Sequence, residues 1–116
     1  MLNPPRSVKE SFVFSRAYKK GKSVVTSHAV LYLLPRKKGS GLTLGIPVSK
    51  KLGGAVQRNR VKRLVRESVR TMLTPDARAR DASLIVVARS RAFSPHLKMQ
   101  KLSRVLEEGA KTLGLL

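Results

Sequence analysis

The sequence predicts a single α+β domain built as a two-layer sandwich, and three observations point to it. The chain has 116 residues, about the length of one ordinary domain. Hydrophobic residues make up 41% of it, enough for one packed interior. Their spacing switches between helical and alternating patterns in the order helix, strand, strand, helix, strand, helix, with space for one extra strand before the second helix.

Residues 1–6 contain Pro4, Pro5 and Arg6 without periodicity and read as a flexible arm on a domain that otherwise takes in all 116 residues. Ser7 and Glu10 have capping-box spacing and Gly21 suits the position past a helix end, which predicts a helix over residues 8–20 carrying Phe12, Phe14 and Tyr18. Residues 24–34 are β-branched and apolar and lead into a basic turn rich in glycine, so they read as a strand with room for a hairpin. The next strand spans residues 42–48. It sets Leu42, Leu44, Ile46 and Val48 on one face and Thr43, Gly45, Pro47 and Ser49 on the other, a small and accessible face with room for a ligand.

Residues 55–73 form the central helix. At about 100° per residue, Val61, Leu64, Val65, Val69 and Met72 gather into an apolar stripe, and Asn59, Arg63, Arg66 and Arg70 gather opposite it with Lys62 at the margin. Thr74 and Pro75 end that helix, residues 77–81 form a loop or ragged turn, and residues 83–88 form a buried strand. Ser94 and Pro95 make a cap and first-turn pair for a closing helix that carries Leu102, Val105, Leu106, Ala110 and Leu113.

Charge narrows the function. Twenty-five Lys and Arg against six Asp and Glu give a formal net charge of +19, and the partner that makes such a self-repelling field useful is a polyanion. A membrane is not expected, because there is no long apolar stretch, lipidation motif or signal sequence; a cytoplasmic location is. Without cysteine there is no disulfide, thiol catalysis or sulfur-ligated zinc. His28 and His96 stand far apart without a ligand pattern, and the six acids are scattered over separate elements, so neither a metal site nor a catalytic residue is assigned to the protein itself. The central helix departs from an ordinary solvated one. It spaces Arg58, Lys62, Arg66 and Arg70 four apart with Glu67 as its lone acid, a repulsive arrangement that a bound polyanion relieves.

The run Arg58-Asn59-Arg60, followed by Lys62-Arg63 and Arg66, sits inside twenty contiguous residues, 48–67, that resemble the signature of the bacterial ribonuclease P protein family. The likeness extends upstream through residues 14–23 and downstream through residues 85–89. Gly54 stands where the family often has Asn, and Tyr18 where it often has Phe. The resemblance implies a left-handed βαβ crossover related to the second domain of a small-subunit ribosomal protein. It implies an accessory subunit of a ribonucleoprotein, in which a catalytic RNA, through bound Mg²⁺, removes the 5′ leader of precursor tRNA in a complex with one protein per RNA. Carried over residue by residue, it implies contacts to that RNA from Arg58, Asn59, Arg60, Lys62, Arg63 and Arg66. Contacts to the single-stranded leader are implied for Phe14, Tyr18, Val30 and Tyr32 in a cleft between the first helix and the sheet, with Ser49, Lys50 and Lys51 beside it. From the residues themselves, an aromatic platform for unpaired bases and plain core packing both remain open for Phe14 and Tyr18. The alternatives to a ribonuclease P subunit are a ribosomal or other structural RNA-binding protein and a DNA-compacting protein.

Overall fold

In the computed structural model, the described residues are Arg6, Ser7 and residues 21–116. Four strands and a two-residue fifth form one sheet: β1 (Arg6–Ser7), β2 (Lys22–Val25), β3 (Ala29–Pro35), β4 (Thr43–Gly45) and β5 (Ala82–Ala88). Their spatial order is β1-β4-β5-β3-β2. The space left for a hairpin is filled by β2 and β3, which pair antiparallel around a turn where Thr26 Oγ1 donates to the Ala29 carbonyl at 2.6 Å. Arg6 does not belong to a loose arm: Arg6 and Ser7 pair in parallel with Thr43 and Leu44. The expected helix over residues 8–20, with Phe12, Phe14 and Tyr18, lies outside the described residues.

Three helices follow: α1 (Ala55–Met72), α2 (Pro75–Arg78) and α3 (Met99–Thr112). Strands β4 and β5 pair in parallel with α1 between them, so the chain makes a βαβ crossover. Alternation divides the sheet. Leu31, Leu33, Leu44, Leu84 and Val86 join Val61, Val65, Val69, Leu102, Leu106 and Ala110 in one core, placing α1 and α3 together on that face. Leu34 and Ile85 are buried on the opposite face, with Tyr32 and Val87 packed against them. Each fully buried aliphatic residue in the main core is worth about 2 kcal/mol of transfer free energy, and the α1 stripe supplies three.

Three further expectations are corrected. The strand expected over residues 42–48 is regular only for Thr43–Gly45, because Pro47 has no N–H for a ladder; Ile46 and Val48 still pack against the core. The face of small residues is not accessible along that strand. Thr43 is 4% exposed and its hydroxyl lies 2.9 Å from that of Ser83, itself fully buried, so two small polar residues satisfy each other where a ligand was expected. Ser94 and Pro95 do not open the last helix, which starts at Met99 with Lys98 at the cap. A 3-10 turn spans Ser90–Phe93, and Ser94 closes its own turn by accepting the Leu97 N–H. The carbonyls of Ser94, Pro95 and Leu97 are directed to the Arg60 guanidinium instead.

Candidate nucleic-acid interface

The cationic surface of α1 follows from its register. Val61, Val65, Ser68 and Val69 are buried, which turns Asn59, Arg63 and Arg66 outward as exposed side chains with Lys62 half-buried at the edge. Arg70 lies on the same arc, but its guanidinium closes on Glu67, 2.8 Å and 3.0 Å from Oε2. The sole acid of the helix is therefore spent on one arginine, and the other cations of the arc have no acidic partner among the described residues.

Arg58 and Arg60 stand about 100° to either side of Asn59, which takes them off the outward arc and onto the flanking loops. Arg58 Nη1 donates to the Gly53 carbonyl at 3.0 Å, buttressing the entry to α1. Arg60 donates to the carbonyls of Ser94 at 3.2 Å and Leu97 at 3.3 Å, holding the approach to α3. The six side chains expected on the RNA thus divide into four that face outward and two that also hold backbone.

The helix entry is capped from inside. Gln57 Oε1 accepts the Gly54 N–H at 2.8 Å, and Gly54, with no side chain, returns nothing. Ahead of it, Ser49, Lys50 and Lys51 are exposed in a turn closed by the Leu52 N–H on the Ser49 carbonyl and by the Lys51 N–H on Ser49 Oγ. Both lysine side chains therefore precede α1 on a defined loop. Val30 and Tyr32 lie half-buried on the face of β3 away from α1 and α3, next to Val87 and Ile85 of β5. Their expected partners Phe14 and Tyr18 lie outside the described residues.

Three of the described acids have partners within the fold. Besides Glu67, Glu107 lies 3.8 Å from Lys111, and Asp81 Oδ1 accepts the Gly41 N–H at 2.8 Å. Backbone hydrogen bonds from Gly41 and then Gly39, with Arg36 nearby, hold the Asp81 carboxyl below its ordinary value against a smaller opposing effect of desolvation. Asp81 thereby pins the β3–β4 turn, where Gly39 and Gly41 take positive φ. Among the described residues no three of His, Asp and Glu gather where they could hold a metal ion.

Two features escaped the sequence reading. Val56 is 83% exposed in the first turn of α1, adding an apolar contact next to the cations. His28 and His96, distant in the chain, line one pocket with Lys98 and Lys101. The available signal was the absence of any acid from residues 82–106, a stretch that carries Arg89, Arg91, Lys98, Lys101 and Arg104.

Comparison with known proteins agrees with this geometry. The family model for ribonuclease P matches residues 2–114. The ribonuclease P protein component of Shouchella clausii is 41% identical over 94 residues, 78% of this chain and 73% of that protein. The structure of the Staphylococcus aureus RNase P protein superposes with a TM-score of 0.79 at 34% identity, covering 94% of this chain and 95% of that one. The RNase P protein from Thermotoga maritima superposes at 0.71 with 25% identity, over 89% and 93% of the two chains. With the Arg58-Asn59-Arg60 helix, the βαβ crossover and the match across almost its whole length, the chain belongs to the ribonuclease P protein family.

Proposed function

We propose that this chain is the protein subunit of a ribonucleoprotein ribonuclease P: it binds the catalytic RNA through α1 and the 5′ leader of precursor tRNA through the sheet and the loop before α1, while the RNA carries out cleavage. The observation that carries this is the outward arc of Asn59, Lys62, Arg63 and Arg66, whose cations have no acidic partner among the described residues, on a helix whose only acid is already paired. Arginine forks suit paired phosphate oxygens, and each phosphate neutralised releases condensed counterions. Phe14, Tyr18 and Tyr32 are assigned to stacking on leader bases, Val30 to an apolar contact with the leader, and Ser49, Lys50 and Lys51 to the loop beside it.

Mg²⁺ held by the RNA would supply neutralisation of charge at the scissile phosphate. The described acids of the protein do not fit that task, since they are dispersed and Glu67, Glu107 and Asp81 already have partners. The protein supplies affinity and position: phosphate contacts fix the RNA surface against α1, and the leader contacts discriminate precursor from mature tRNA.

Reconstitution tests this. The protein is combined with a bacterial ribonuclease P RNA and precursor tRNA at limiting Mg²⁺. Cleavage is expected for the pair, weaker for RNA alone, and absent for protein alone. Leader removal by nuclease-free protein without RNA, or a protein that leaves the RNA reaction unchanged, overturns the proposal.

A further inference from the structure

The β2–β3 turn, the exit of β5 and the approach to α3 meet at a pocket of about 290 Å³ lined by His28, Ser94, His96, Leu97, Lys98 and Lys101. None of these residues belongs to α1. The walls are fixed by backbone: the Arg89 N–H donates to the His28 carbonyl at 2.9 Å, and Arg89 Nη1 to the Thr26 carbonyl at 2.8 Å. On the other side, Arg60 holds the Ser94 and Leu97 carbonyls, and the His96 N–H meets Ser94 Oγ at 3.3 Å.

His28 is only 9% exposed, yet it is polar and only half satisfied. Its Nδ1 lies 2.7 Å from Ser27 Oγ, and Nε2 has no hydrogen-bond partner among the described residues. With the Ser27 hydroxyl as donor, the neutral ring keeps its proton on Nε2. When the ring takes a second proton, Nδ1–H donates to Ser27 instead, so the Ser27 contact survives both states. Among the described residues, the charges acting on it are Lys101 of α3 and Arg91 of the 3-10 turn, with Lys98 on the pocket wall; Glu108 of α3 lines the adjoining pocket beside Thr26 and Ser27. Neither the hairpin, residues 22–35, nor residues 82–106 contain an Asp or Glu to compensate. Burial first, then Lys101 and Arg91, hold the His28 imidazole below its ordinary value. A nearly buried imidazole among uncompensated cations is a costly arrangement that an anion reverses.

We propose that this pocket is a second phosphate-binding site, in which Lys101, Lys98 and the imidazoles of His28 and His96 hold a phosphodiester of bound RNA. The site rests on the RNA-binding function proposed above and extends it to a surface separate from α1. With Ser27 donating to Nδ1, a phosphate oxygen at His28 Nε2 meets a donor in either protonation state; in both tautomers it favours the charged ring, so binding takes up a proton and tightens as pH falls. Arg60, reaching from α1 to the carbonyls on either side of His96, is a positioning residue that connects the two surfaces.

The test follows the ring C–H resonances of His28 and His96 in the full-length protein between about pH 5.5 and 7.5, alone, with sulfate, and with a short single-stranded RNA lacking terminal phosphates. Sulfate keeps its charge over that range, so any pH dependence belongs to the protein. Both ligands are expected to shift the two resonances and raise the His28 titration midpoint. Lys101→Ala, an exposed position, is expected to weaken this response about tenfold, the loss of one charge-assisted contact. Arg63→Ala is measured beside it for binding to the ribonuclease P RNA. Resonances that move with neither ligand, or with sulfate but not RNA, overturn the site. If they stay still while Arg63-dependent RNA binding persists, the second site alone is wrong. A protein that binds no RNA removes the function on which the site rests.

Discussion

Arg60 Nη1 lies 3.2 Å from the Ser94 carbonyl oxygen, tying the second turn of α1 to the loop that leads into α3. A residue expected only to touch RNA therefore also holds the fold. Arg60→Ala leaves the Ser94 and Leu97 carbonyls without this donor and is expected to cost about 1 to 2 kcal/mol of stability, read as a lower melting temperature. Arg60→Lys is expected to recover only part of it, since one ammonium cannot span carbonyls arranged for a planar fork. An unchanged melting temperature in both variants would return Arg60 to an RNA-contact role alone.

Arg63 and Arg66 make the opposite prediction. Both are exposed and opposite the buried stripe, so Ala at either position is expected to leave melting unchanged within about 0.5 kcal/mol. Affinity for the RNA subunit falls, and the slope of log affinity against log salt flattens by about one phosphate contact per substitution. Equal slopes for wild type and variants would make that face a solvated surface.

The two glycines before α1 are not equivalent. A Cβ on Gly54 meets nothing closer than Gln57 Oε1 at 3.9 Å, and its φ of −75° suits any residue. Gly54→Asn is expected to complete the half-formed cap and stabilise the chain by a few tenths of a kcal/mol. A Cβ on Gly53 would lie 2.9 Å from the Phe93 ring, so Gly53→Ala is expected to destabilise by about 1 to 3 kcal/mol as the ring is displaced. Chemical denaturation of both variants checks the pair, and a stabilised Gly53→Ala would contradict the contact.

His28 sets a pH dependence in the free protein. Its imidazole titrates below the ordinary 6.5, so at intermediate pH the unfolded chain binds the extra proton more readily than the folded one. Stability is full above about pH 6.5 and declines as pH falls from there through the lowered folded value. His28→Gln should flatten that part of the profile. If the variant keeps the wild-type slope between about pH 7 and 5, the decline arises elsewhere.

Legibility of the fold followed periodicity. The α1 stripe of Val61, Val65 and Val69 was readable because helical spacing has no competitor there, and the outward turn of Arg63 and Arg66 came with it. Burial of Thr43 was hidden because alternation separates two faces without saying what meets the second one; its partner Ser83 is forty residues away. Ser94 and Pro95 misled for a related reason. Their local chemistry fits a helix start equally well, and only Arg60, remote in sequence, decides that their carbonyls leave the helical path. The meeting of His28 with His96 needed the whole sheet topology, which no spacing encodes.

The place of β5 in the sheet bears on how the protein is made. Of the five strands it is the last in chain order, yet it lies between β4 and β3, pairing Leu33 with Leu84 and Leu44 with the same residue from the other side. Until residues 82–88 emerge, β4 has no partner to join it to the hairpin, and the valines of α1 have only half a surface to cover. A nascent chain arrested before that point is an unfinished sheet bearing most of the protein's cationic charge, beside the ribosome's own RNA. Closure by a late central strand makes folding of this chain dominated by distant contacts and slow for its size.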